Sequence, residues 1–101
     1  MENLTKRMTA LGFAERHSGT AYIRQAVALA EERPSARLTK EIYPAIARAA
    51  GITPQAVERS MRHAVRSAWR EAPQEWVNFC GPRRPTNGEV VARMVGGYFA
   101  D

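Results

Sequence analysis

The residues in this sequence best suited to chemistry are arginines at helical spacing. Arg59, Arg62, Arg66 and Arg70 recur every three or four positions, with Gln55 ahead of them and His63 among them. On a wheel of about 100° per residue they share one side, opposite a stripe of Val57, Met61, Ala64, Val65, Ala68 and Trp69. Guanidinium forks match phosphate oxygens and the guanine edge, so this face points to nucleic acid. Only Glu58 interrupts the positive charge before Glu71, and the alternating Glu–Arg pairs that lace an ordinary exposed helix are not evident. The competing account is a solvated charged face, because polar residues opposite a core stripe are normal.

The residues just upstream favour the first account. Ala47, Gly51 and Val57 stand at the spacing of a helix-turn-helix. The small alanine permits close helix contact, the glycine permits the turn's backbone, and the valine packs the second helix on the first. Thr53-Pro54 supplies a cap and a first-position proline for that second helix. An arginine face that begins just after such a turn is the pattern of a helix lying in the DNA major groove.

Bulk composition narrows the function class. The 101 residues set the expectation of one domain over 1–101, and fifteen Lys+Arg against ten Asp+Glu leave a net charge of +5. Thirteen of the fifteen are arginine. Hydrophobic residues make up 45% and charged residues 25%, which is globular composition. Asp101 is the only aspartate, so no phospho-acceptor aspartate pocket is present, and Cys80 is the only cysteine, which excludes a cysteine-rich zinc site. Cysteine usage fits a reducing cytoplasm. No apolar run approaches the roughly 20 residues of a membrane span, and Met1–Phe13 lacks the apolar stretch of a signal peptide. No nucleophile–base pair, glycine-rich phosphate loop or metal-ligand cluster is visible, so neither an enzyme nor a cofactor is expected.

Periodicity then sets out the elements that must position the arginines: six helices and no strand, an all-α fold. A short amphipathic stretch over residues 3–11 uses Leu4, Met8 and Leu11. A helix from Thr20 to Arg33 follows, with Tyr22, Ile23, Ala26, Val27, Leu29 and Ala30 inward and Pro34 as its stop. The third helix has two open starts: Thr39 as cap with Pro44 inside a kinked helix, or a regular start near Tyr43 with Pro44 in the first turn. Ile42, Ile46, Ala47 and Ala50 face inward in either case. The fourth helix runs from Thr53-Pro54 to Pro73. Trp76, Val77, Phe79 and Cys80 suit a fifth ending at Gly81-Pro82, and the capping pattern Thr86-Asn87-Gly88-Glu89 opens a sixth that runs to Tyr98.

Three weaker candidates accompany the arginine face. Thr86 and Asn87, beside Arg83 and Arg84, stand at a helix start where backbone N–H groups bind phosphate, or they simply cap the helix. Arg37 and Lys40 read equally as backbone clamps and as solvated loop charges. Trp69, Trp76, Phe79 and Cys80 read as core, and His17 as a loop or cap residue.

The strings LTKEIYPAIARAAGITPQAVERSMRHAVRSAW and RPTNGEVVARMV, with LGFAERHSGTAYIRQAV upstream, resemble the C-terminal DNA-binding domain of the sporulation master response regulator of spore-forming Firmicutes. Tyr43-Pro44, Val57-Glu58-Arg59, Arg62-His63-Ala64, Ala68-Trp69 and Pro85-Thr86-Asn87 carry the resemblance, which covers nearly the whole chain. It implies a six-helix domain whose third and fourth helices form the helix-turn-helix. It also implies binding to short boxes of double-stranded DNA, often as a tandem homodimer, and contact with the RNA polymerase sigma factor.

By position, Glu58, Arg59, Arg62 and His63 match the family's DNA-facing residues. Arg59 or Arg62 would fork onto guanine, Glu58 would accept from cytosine or orient an arginine, and Arg66 and Arg70 would meet phosphate. Two departures stand out. Gln55-Ala56 replaces a Ser-Arg pair, which removes a base contact and leaves Gln55 to read adenine. No receiver domain corresponds to any part of the chain, as expected of either an excised effector domain or a stand-alone protein. The altered pair also motivates a second reading, an interaction module that docks through Gln74 to Phe79 of the fifth helix on polymerase or on a full-length relative.

Overall fold

Helix punctuation in the sequence lays out the elements of the computed structural model, which describes residues 2–95. Within them six α-helices form: α1 (Glu2–Ala10), α2 (Ser18–Glu32), α3 (Tyr43–Ala50), α4 (Pro54–Glu71), α5 (Pro73–Cys80) and α6 (Asn87–Met94). The described residues include no strand. The all-α, six-helix expectation therefore holds. The last helix is shorter than expected: α6 ends at Met94, where Val95 turns extended (φ -81°, ψ 156°), and Tyr98 lies outside the described residues.

Local chemistry accounts for each start and stop. Thr53 caps α4 by accepting from the Ala56 N–H at 3.0 Å, and Pro54 takes the first helical position. Thr86 and Glu89 close a full capping box at α6. Pro73 both ends α4 and opens α5, with Ala72 shared as the cap between them. The start of α2 differs from expectation. It begins at Ser18, ahead of the expected Thr20, with His17 in the cap position, and Thr20 is buried inside the first turn, its hydroxyl donating to the Ala14 carbonyl at 2.7 Å.

The start of α3 combines features of both expected versions. A π-helical turn, Leu38–Ile42, runs directly into Tyr43, with the N–H of Ile42 reaching back five residues to Arg37 at 3.1 Å. Proline lacks an N–H, and its ring crowds the carbonyl four residues back. A widened turn ahead of Pro44 opens that space without ending the helix. Thr39 is not the cap; the Arg37 N–H is instead held by the Glu41 carboxylate at 2.7 Å.

The core forms where α2 crosses α4. Ile23, Ala26 and Val27 meet Val57, Met61, Ala64, Val65 and Ala68, with Ile46 and Ala47 of α3 and Val90, Val91 and Met94 of α6 closing over them. Each such large side chain contributes roughly 1.5–3 kcal/mol through removal from water. Trp76 anchors α5 in the same core: it is fully buried, its indole N–H donates to the Leu11 carbonyl at 2.7 Å, and Phe13 and Phe79 present ring edges to it. Trp69, Phe79 and Cys80 pack against the core but are only partly buried. Ala50, expected inward, is exposed where α3 gives way to Gly51.

Candidate nucleic-acid interface

Gly51 ends α3 in the left-handed conformation, φ 73° and ψ 31°, where a side chain would be strained. Ile52 then donates its N–H to the Ala47 carbonyl at 3.0 Å, so Gly51, Ile52 and Thr53 suffice to turn the chain into α4. With Val57, Met61, Ala64, Val65 and Ala68 buried, the opposite side of α4 is fixed outward. Gln55, Arg59, Arg62, His63 and Arg70 are exposed there, and Glu58 and Arg66 are half-buried. The candidates read from the wheel thus share one face.

Their electrostatics are less uniform than their charges. Glu58 and Arg62, one turn apart, form a forked ion pair with N–O distances of 3.1 and 3.3 Å. It is a single pair, not an alternating series, and it puts Glu58 in position to orient an arginine. The hydrogen bond that Arg62 donates to Glu58 is also the main reason its guanidinium is held more firmly protonated than usual. Arg59 and Arg70 form no ion pair among the described residues. Arg66 is half-buried, and its Nε is buried with no hydrogen-bond partner among the described residues.

Two structures flank the face. On one side stands the entry to α6. Asn87 is buried, and its side-chain amide donates to the Tyr43 hydroxyl and to the Glu58 carbonyl, each at 3.1 Å. Burial pushes the Tyr43 hydroxyl above its ordinary pKa, so it stays protonated at neutral pH. Because the Asn87 side chain is directed inward, what Asn87 can offer a phosphate is its main-chain N–H. The Thr86 N–H is taken by the Glu89 carboxylate at 2.8 Å, and Glu89 also pairs with Arg83 at 3.0 Å.

The start of α2 stands on the other side. Gly19 lies directly against α4; a Cβ built on it would sit 2.0 Å from the Ser60 carbonyl oxygen. His17 stacks edge-on against His63, with centroids 5.1 Å apart, and its Nε2 is 3.3 Å from the Ser67 hydroxyl. Between these elements lies an open cleft of about 390 Å³ bordered by Arg16, His17, Gly19, Arg59, Ser60 and His63.

Lys40 is exposed on the π turn and forms no ion pair among the described residues. No local signal in the sequence marks Arg16, Gly19 or the inward role of Asn87. Arg16 and Gly19 are about 40 positions from α4 and meet it only through the α2–α4 crossing. No helix among the described residues is long and apolar enough to cross a membrane.

The family model described as sporulation initiation factor Spo0A C terminal matches residues 4–96, a span that includes every element of this face and both of its flanks.

Proposed function

On the premise that this chain belongs to the sporulation initiation factor Spo0A C-terminal family, whose members are DNA-binding transcription regulators, we propose that it reads a short double-stranded DNA box through α4. In this reading α3 and α4 are a helix-turn-helix, and residues 1–101 work as one cytoplasmic effector domain that catalyses no reaction. The observation that carries it is the exposed arginine face of α4, held rigid between the starts of α2 and α6.

The face divides into two parts. Gln55, Glu58, Arg59, Arg62 and His63 occupy the first half of α4, the end that enters the groove in helix-turn-helix proteins. Glu58 holds the Arg62 fork flat, so the arginine meets the O6 and N7 atoms of guanine already oriented. Gln55 is suited to adenine. Arg66 and Arg70, further along, meet phosphate, and Lys40, Thr86 and the Asn87 N–H add further backbone contacts.

Selection from a random duplex pool, followed by sequencing, tests this reading. A single recurring box is expected. Arg62→Ala should lower affinity for that box about ten- to hundred-fold and relax preference at one base pair. Arg70→Ala should weaken all duplexes alike and reduce the slope of log affinity against log salt by about one. Equal affinity for every duplex at physiological salt would refute sequence-specific reading.

A second contact favours a protein partner. Val77 on α5 is 39% exposed, a large apolar side chain beside Gln74 and Asn78. We assign this patch to the RNA polymerase sigma factor, with pairing of two copies on tandem boxes bringing it into register. Capture of a polymerase subunit without any duplex binding at low salt would instead make α5 the working surface.

A further inference from the structure

We propose that the cleft between the start of α2 and α4 is a second DNA-backbone clamp, with Arg16 as its phosphate ligand. The inference rests on the reading of α4 as the groove-entering helix and extends it to Arg16, which that reading leaves unused.

An α-helix with its side chains is about 10–12 Å across, close to the roughly 12 Å width of the major groove. A helix seated there leaves little room beside it, so whatever flanks it meets the phosphates of the two groove walls. The α6 entry, bound to the Glu58 carbonyl through Asn87, serves one wall. The start of α2, in contact with Ser60 through Gly19 and with Ser67 through His17, faces the other.

Charge in the cleft matches that position. Arg16 is exposed and Arg59 is exposed across from it; neither forms an ion pair among the described residues. No carboxylate lines the cleft, and its remaining polar groups are the two imidazoles and the Ser18 and Ser60 hydroxyls. This is the donor set of a phosphate site. The opposite flank differs, because there Arg83 is already paired with Glu89. The His17–His63 contact and the Gly19 approach hold the cleft's two sides at a fixed separation, so Arg16 can reach the backbone without any rearrangement of α4.

The test uses fluorescence anisotropy with the selected box and with a scrambled duplex, across a salt series. Arg16→Ala should weaken binding to both about three- to ten-fold and lower the salt slope by about one, leaving the selected box unchanged. Arg16→Lys should keep the slope. In a scan that replaces single phosphates by neutral methylphosphonates, one position at the groove edge should penalise the unsubstituted protein but not Arg16→Ala. Because Arg16 is exposed, equal melting temperatures should show that the variant folds. If the unsubstituted protein selects a box while Arg16→Ala matches it in affinity and slope, the clamp is refuted and the α4 reading stands. If the unsubstituted protein binds no duplex at low salt, both are refuted.

Discussion

The two flanks of α4 hold the same helix by opposite means. On the α2 side the contact is mainly one of shape: Gly19 contributes no side chain, and the two backbones approach until a Cβ would collide with the Ser60 carbonyl, with one side-chain hydrogen bond, His17 to Ser67, beside it. On the α6 side the contact is directional, one amide of Asn87 donating to Tyr43 and to the α4 backbone at Glu58. A shape contact sets how far apart two helices lie but tolerates rotation about their axes. A hydrogen bond to a named carbonyl fixes rotation and register. Together they leave α4 one orientation, and orientation is what base reading requires.

The largest effect should follow from filling the shape contact. Gly19→Ala places a methyl group 2.0 Å from a backbone oxygen and 2.9 Å from the Ala64 side chain. Since the main obstacle is backbone, Ser60→Gly cannot relieve it. Overpacking of this kind costs about 1–3 kcal/mol and more where nothing can move, so urea titration should give a loss of about 3 kcal/mol or greater. A loss below about 0.5 kcal/mol, the range of an ordinary surface change, would show that α2 and α4 are not locked at this point.

Next in size should be Asn87→Ala. It leaves the Tyr43 hydroxyl and an α4 carbonyl with a lost partner in a buried site, at a cost of about 1–3 kcal/mol. Its diagnostic consequence lies in specificity. With rotation of α4 less constrained, discrimination between the selected box and a single-base variant should shrink more than affinity for scrambled duplex does. Gly19→Ala, by contrast, should lower both in proportion to the folded fraction. Measuring stability and discrimination for the two variants side by side separates distance-setting from orientation-setting.

Legibility in the sequence follows the same division between local and long-range effects. Thr53-Pro54, Thr86–Glu89, Pro73 and the stripe Val57 to Ala68 act within one or two helical turns, and each acts as expected in the structure. The outward face of α4 follows from that stripe, so Gln55, Arg59, Arg62, His63 and Arg70 were readable as its exposed members. Glu58–Arg62 was also readable, since it is an i,i+4 pair in which Glu58 orients an arginine. Gly19 and Arg16 were not readable, because their partners lie about 40 positions away and only the crossing of α2 over α4 brings them there. Asn87 was placed at the correct helix start, yet a capping pattern specifies the residues on either side of it and not where its own amide points. The widened turn before Pro44 merged two alternatives that sequence treats as exclusive.

The smallest effect sharpens the α6 flank alone. Glu89 holds the start of α6 in place, and its carboxyl is kept below the usual value of 4.5, first by the Thr86 N–H and then by Arg83. A group whose folded pKa is depressed stabilises the protein above its unfolded value, and that stabilisation disappears as pH falls through the folded one. Glu89→Gln retains an oxygen to accept from Thr86 but removes the charge. It should therefore lower the melting temperature modestly near neutral pH, and the gap should close as the solution is acidified below about 4.5. Glu15 and Glu41, lowered through Arg24 and the Arg37 backbone respectively, titrate in the same direction. Both proteins will thus lose stability in acid, and the informative quantity is the difference between them. Thermal melts from about pH 7 to about pH 3 supply it. A gap that stays constant over that range would mean that the α6 flank depends on the geometry of the capping box and not on its charge.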